Sequence, residues 1–146
     1  MLPTTALAQL AAYAGQVTGL RTSYPAPPTI TAPHLVLFWD ETDIEEMDEQ
    51  VWLMTVKGQL MTALTGNTTG EILKADPLIA RIVDAFSANS APPRSAYHLR
   101  TPTDPGVDYC RLVRVNPSQV IGYAGNLYYG AELFWSIKLR RFAGST

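Results

Sequence analysis

The chain has 146 residues, of which 47% are hydrophobic and 10% aromatic, and its formal net charge is -2. This length is typical of one domain that can bury a core, so we predict a single domain over residues 1–146 and exclude disorder across the whole chain. The near-neutral charge argues against a general nucleic-acid-binding protein, because that class needs a basic face.

The N-terminal segment is typical of an amphipathic helix running from Thr4 to Gly19. The segment has neither a positively charged start nor a continuous apolar stretch, which argues against a signal peptide. No apolar run approaches the length of about 18 residues that a membrane-spanning helix needs, so we expect a soluble protein without membrane contact. The apolar residues at helical spacing are Leu7, Leu10, Ala11, Ala14 and Val17.

A proline-rich segment follows, with four prolines in the ten residues from Tyr24 to Pro33. Proline disfavours both a helix and a central strand, so this segment is predicted to be an extended surface connector. An arm that reaches onto a neighbouring subunit is the alternative interpretation.

Two predicted strands flank a strongly acidic run. Leu35 to Trp39 and Val51 to Leu60 are rich in strand-forming residues, and we expect an antiparallel pair joined by a long charged loop. We predict that this loop binds a partner. Its acidic residues are Asp40, Glu41, Asp43, Glu45, Glu46, Asp48 and Glu49.

The acidic run separates charge within the chain. It holds seven of the 13 acidic residues, so the remaining six stand against 11 lysines and arginines and leave a charge of about +5 on the rest. A calcium loop would need glycine at its sixth position, where Glu45 stands, so we expect no metal site. The run is either a plain solvated loop or a docking surface for a basic partner or for the basic body of another copy.

The second half of the chain begins with a predicted helix from Asp76 to Asn89. The aspartate is its capping residue, and Pro77 lies in its first turn. Short strands are then predicted at Tyr97 to Arg100, Tyr109 to Val115 and Gln119 to Ala124. A turn at residues 116–118 joins the second and third of these strands, and a hairpin turn at Gly125-Asn126 leads to the last strand. The last strand alternates clearly, and its apolar face comprises Tyr129, Ala131, Leu133, Trp135, Ile137 and Leu139.

These elements predict an α+β domain, with an antiparallel sheet of about four to five strands and two helices packed on one face. Phe38, Tyr128 and Phe134 fall on the other face, where grouped apolar residues usually mark a subunit contact. The basic residues near the C-terminus form either the solvent-exposed side of the last strand or a contact with the acidic loop of an adjacent subunit. They are Lys138, Arg140 and Arg141. These six residues form the candidate subunit interface.

No motif in the sequence indicates catalysis. His34 and His98, the two histidines, lack metal-ligand spacing and are predicted to be polar loop residues. Cys110 lies in an apolar strand context and is predicted to be a small buried residue. No nucleophile elbow, phosphate loop or dinucleotide fingerprint is present. We therefore predict a protein that is not an enzyme and has no cofactor, and a metal-dependent hydrolase using the acidic run is the enzyme alternative.

The element order resembles that of tail terminator proteins from long-tailed bacteriophages. The resemblance rests on the N-terminal helix, the strand pair with its long loop, and the capped helix from Asp76 to Asn89. It also rests on the closing segment Tyr-Tyr-Gly-Ala-Glu-Leu-Phe-Trp-Ser-Ile-Lys-Leu at residues 128–139. Together these features cover nearly the whole chain.

The resemblance implies a structural virion protein at the tail–neck junction, assembled in the host cytoplasm. Six copies would form a ring that caps the tail tube, stops its polymerisation and offers a surface to which the head docks. The implied partners are other copies of the chain, the tail-tube protein and a head-completion or connector protein. DNA would pass through the lumen without specific binding, and no catalytic residue carries over.

Two alternatives remain open at this point. One is a different head–tail connector or a tail-tube component, although a tube protein would need longer strands. The other is a small ligand-binding α+β module, in which a pocket would be lined by Tyr123, Tyr128, Tyr129 and Trp135.

Overall fold

The computed structural model describes residues 2–39, 44–46, 51–64, 68–86 and 106–140. Neither described helix combines the length and the hydropathy needed to cross a membrane. In chain order the elements are α1 (Pro3–Ala14), β1 (Arg21–Ser23), β2 (His34–Phe38), β3 (Ile44–Glu46), β4 (Val51–Ala63), α2 (Thr68–Ala85), β5 (Val107–Tyr123) and β6 (Asn126–Arg140).

All six strands belong to one mixed sheet, and five of them follow the order β1-β2-β4-β6-β5. All pairs are antiparallel except β1 with β2. β3 pairs with the start of β4, and because β6 occupies the other side of β4, β3 lies on the same side as β2. The predicted α+β class with a mainly antiparallel sheet is confirmed, but the predicted strand count is too low. β1 and β3 have three residues each, too few to show an alternating pattern.

One large core joins residues of both helices to the sheet. Phe86, directly after α2, makes edge-to-face contacts with two rings, at centroid distances of 5.0 Å from Tyr13 of α1 and 5.5 Å from Trp135 of β6. Trp135 is fully buried, as are Leu7 and Leu10 of α1. The predicted apolar face of the last strand is therefore confirmed as core.

A second, smaller cluster contains Val36, Met61 and Ile121, against which Ile30 of the proline-rich connector packs. The Tyr123 hydroxyl donates a hydrogen bond to the carbonyl oxygen of Pro27. These contacts hold the connector on the sheet of its own chain, as expected of a surface connector.

Both helix boundaries differ from the prediction. α2 begins at Thr68, eight residues before Asp76, and Pro77 lies inside it. The helix continues through the proline because its buried stripe starts earlier, with Glu71 and Ala75 preceding Leu78. α1 ends at Ala14 rather than Gly19, which fits the weak helix propensity of Gly15.

The hairpin of β5 and β6 corrects two predicted turns. β5 runs without a break through residues 116–118, and the pairing is irregular between Asn116 and Gln119. An edge strand tolerates Pro117 there because no neighbouring strand needs its missing N–H. The hairpin turn is formed by Ala124 and Gly125, both at positive φ, one residue earlier than predicted. The strand predicted at residues 97–100 lies outside the described residues.

Candidate subunit-contact surface

Alternation along the strands gives the sheet one buried face and one partly exposed face. In β6 the odd-numbered residues around Trp135 are buried, whereas Phe134 and Lys138 are partly exposed. The register places Phe134 between Lys57 of β4 and Arg114 of β5, in one row across the sheet. We call this side the basic face, after the cationic residues that β4, β5 and β6 place on it: Lys57, Arg111, Arg114, Lys138 and Arg140.

Aromatic rings support the cations of the basic face. The guanidinium carbon of Arg114 lies 4.2 Å from the ring centroid of Phe134, and that of Arg111 lies 4.3 Å from Tyr109. The ammonium nitrogen of Lys57 is 6.0 Å from the ring centroid of Phe38. Such contacts orient a guanidinium group while its N–H edge stays available to a carboxylate.

An ion pair lies on the basic face. Among the residues whose side chains the structure describes, Glu132 is the acid on this face, and its Oε2 lies 3.6 Å from the Nζ of Lys57. Their side chains are 23% and 41% exposed, so this ion pair is screened by solvent and contributes little to stability. Arg111 and Arg114 are both exposed, and they make this part of the face suited to an acidic partner.

Most of the predicted interface residues lie on the basic face. The register brings Phe38, Tyr128, Phe134, Lys138 and Arg140 to this side, whereas Arg141 lies outside the described residues. Phe38 and Tyr128 also pack against the second cluster.

The sequence patterns do not single out Lys57, Arg111 and Arg114. These three residues belong to two strands far apart in the chain, and only the register shows that they share a face with Phe134. The one available signal was the alternation within each strand.

The described part of the acidic segment, residues 44–46, lies at the other side of the sheet. Glu45 and Glu46 are in β3, which pairs with β4 beside β2. Asp40, Glu41, Asp43, Asp48 and Glu49 lie outside the described residues. Because β5 ends the sheet on the opposite side, the middle of the acidic segment and the arginines of β5 are at opposite edges.

The β5 edge is poorly suited to pairing with another strand. It contains Pro117, and its register shifts at three places: between Val107 and Tyr109, between Leu112 and Arg114, and between Asn116 and Gln119. Bulges and proline on an edge strand interrupt the row of main-chain donors and acceptors. A contact at this edge would therefore depend on side chains.

Two titratable residues are explained by the fold. His34 is not a loop residue but part of β2, where it is 7% exposed and its Nε2 lies 2.6 Å from the Ser23 hydroxyl. Burial, with the nearby charge of Arg21, lowers the pKa of His34. Cys110 is fully buried, as predicted, and burial raises the pKa of its thiol. His98 lies outside the described residues.

Among the residues that the structure describes, no group of three or more His, Cys, Asp or Glu side chains is placed to hold a metal ion. No family model matches the chain, and no curated protein matches it.

Proposed function

We propose that this chain is a structural virion protein of the tail-terminator type. Copies form a closed ring that caps the phage tail tube, stops its polymerisation and provides the surface to which the head docks. The observation that supports this most directly is the position of acidic β3 and arginine-bearing β5 at opposite edges of one sheet.

Opposite charge at opposite edges favours head-to-tail contacts. The acidic edge of one copy meets the basic edge of the next copy, so each interface joins two different patches. Such heterologous contacts close into a ring when the rotation between subunits permits it. The number of six subunits comes from the resemblance to tail terminators.

We further infer that both helices cover the sheet face opposite the basic face. The support is that Phe86 contacts both Tyr13 and Trp135, while Ile82 of α2 belongs to the same cluster. With the helices on that side and the proline-rich connector over the second cluster, the part of the basic face around Phe134 is left for neighbouring subunits, the tail-tube protein or the head connector. Acidic segments near the lumen would repel the phosphates of passing DNA.

A tail-tube component is the second candidate. The lengths of three adjacent strands favour it, since β4, β5 and β6 have 13, 17 and 15 residues, against about 5–6 for a typical strand. The interrupted β5 edge argues against it, because a tube wall formed by strand pairing between subunits needs a regular edge.

The aromatic residues on which the ligand-binding alternative depends lie on different faces of the sheet. Trp135 belongs to the large core that contains helix residues, whereas Tyr123 and Tyr128 pack against the second cluster. Alternation puts Trp135 and Tyr128 on opposite faces of β6, so these aromatic side chains do not line one pocket.

Native mass spectrometry of the full chain at low salt, followed by electron microscopy of the protein mixed with tail tubes, tests the proposal. We expect a closed ring, with density at one end of each tube. A stable two-fold dimer, or tubes with no end decorated, would contradict it. Continued tube growth in the presence of the protein would contradict the terminating role.

A further inference from the structure

We infer that Arg111 and Arg114 bind carboxylates of the acidic segment, residues 40–49, of a second copy of this chain. This inference rests on the proposed ring and names the contact that would hold neighbouring subunits together. It is carried by the stacking of each guanidinium on an aromatic ring and by the positions of β3, which contains Glu45 and Glu46, and of β5 at opposite edges of the sheet.

The acidic residues of β3 are too far from these arginines within one chain. Glu45 shares a row with Leu53, whereas Arg114 shares the row of Lys57, four residues further along β4. Three strand spacings of about 4.8 Å and four residue rises of about 3.3 Å then separate Glu45 from Arg114 by roughly 20 Å at the backbone. This exceeds the combined reach of the two side chains, so Glu45 of the same copy is not the partner of Arg114.

The arginines are prepared for carboxylates. Stacking on Tyr109 and Phe134 holds each guanidinium group in one orientation, which reduces the side-chain entropy lost on binding. A carboxylate accepts two parallel hydrogen bonds from the edge of such a group. The seven acids in the segment supply such partners at high density.

A nucleic acid is a weaker candidate for the same face. Sheets that bind single strands use free aromatic faces on which bases stack. Here Arg114 and Arg111 themselves lie over the rings of Phe134 and Tyr109. The acidic segment of each copy would also repel phosphates. The observations therefore favour an acidic protein segment.

The first test is peptide binding to the full chain. The probe is a fluorescently labelled peptide with the sequence of residues 39–50, and the receptor carries Glu45→Gln, Glu46→Gln and Asp48→Gln so that its own segment competes less. We expect binding that weakens about fivefold or more between about 0.02 M and 0.3 M salt, because these ion pairs are screened. Adding Arg111→Gln and Arg114→Gln should weaken it by about fivefold or more at low salt.

A matched control removes the same charge elsewhere. Lys74→Gln with Arg81→Gln alters two exposed cations of α2 and leaves the basic face intact. We expect this variant to bind the peptide within about twofold of the receptor. Equal weakening by both pairs of substitutions would show that only net charge matters, and would overturn the assigned site.

The second test separates contacts between chains from contacts within one chain. One variant has the three glutamines in the acidic segment, and the other has Arg111→Gln with Arg114→Gln. Each variant alone has one weakened side at every interface and should assemble less than the wild type, whereas an equal mixture retains one unaltered interface and should form heterodimers. A mixture that stays monomeric overturns the inference.

Different experimental outcomes would contradict the assigned contact and the proposed function. If a ring forms and Arg111→Gln with Arg114→Gln leaves it intact, the contact is wrong while the ring stands. If the variants behave as expected but the wild type forms two-fold dimers, the contact stands and the capping role is wrong. If the arginine substitutions abolish binding of a labelled single-stranded oligonucleotide and leave self-association unchanged, the face binds nucleic acid instead.

Discussion

The indole of Trp135 lies against the backbone of Gly58, so close that a side chain at residue 58 has no space. A Cβ atom at Gly58 would lie 2.7 Å from Cζ3 of Trp135 and 3.0 Å from Cδ1 of Leu35. Both neighbours are fully buried and cannot move away into solvent. Because Gly58 has no side chain, the indole of Trp135, the largest of the fully buried side chains, packs directly on the backbone in the middle of β4.

Replacing this glycine should destabilise the fold. We expect Gly58→Ala to lower the free energy of unfolding by about 1–3 kcal/mol, since the core must rearrange around the added methyl group. The matched control is Gly122→Ala in β5, where a Cβ would meet its nearest atom, Cδ2 of Leu127, at an ordinary 3.8 Å. Urea denaturation of both variants measures the difference, and equal effects would contradict the close approach.

Truncating the side chain of Phe86 should destabilise the fold. Its ring touches both Tyr13 and Trp135 and is 6% exposed. We expect Phe86→Ala to cost about 3 kcal/mol or more in the free energy of unfolding, because it leaves a cavity at the centre of the core. Val83→Ala, at a residue that is 41% exposed, should cost about 0.5 kcal/mol or less. Thermal unfolding would show the contrast, and a similar loss in both variants would argue against Phe86 as the link.

His34 should make stability depend on pH in the weakly acidic range. Burial lowers its pKa in the folded protein, so the unfolded chain takes up a proton first, from about pH 6.5 downward. Stability is therefore fully present above this pH and falls as the pH drops toward the lower pKa of the folded state. His34→Gln should flatten the dependence between about pH 7.5 and 5.5. An unchanged slope in the His34 variant would contradict this prediction.

The hydroxyl of Tyr123 should hold the proline-rich connector on the sheet. It donates a hydrogen bond to the Pro27 carbonyl across a sequence separation of 96 residues. We expect Tyr123→Phe to cost about 1 kcal/mol in the free energy of unfolding and to speed proteolysis between residues 24 and 33. Tyr109→Phe keeps its ring beneath Arg111 and is the control. Connector cleavage at the wild-type rate would show that this bond is not what holds the segment.

Patterns within single strands were sufficient to predict several parts of the fold. Alternation identified the buried face of β6, and it predicted that Trp52, Met54, Val56 and Leu60 of β4 share one face. Met54, Val56 and Leu60 are buried, whereas Trp52 is partly exposed. The apolar context of Cys110 likewise predicted its burial. These predictions hold because side chains two residues apart in a strand point to the same side, whatever the rest of the chain does.

Local signals failed where tertiary contacts compensated for an unfavourable residue. Asp76-Pro77 satisfies the local rules for a helix start, yet burial of Ala75 and Glu71 extends α2 across the proline. Asn116-Pro117 has the composition of a turn, yet the pairing of β5 with β6 carries the strand through it. In both cases packing against a distant element outweighed the local preference.

The sequence by itself determined the charge separation, the alternating strands and the presence of a core. The basic face required the tertiary structure, because Lys57, Phe134 and Arg114 become neighbours only through the register of β4, β6 and β5. The placement of acidic β3 and β5 at opposite edges likewise follows from the strand order. Register and strand order depend on pairing between residues far apart in the chain, and a periodic pattern within one segment carries no information about either.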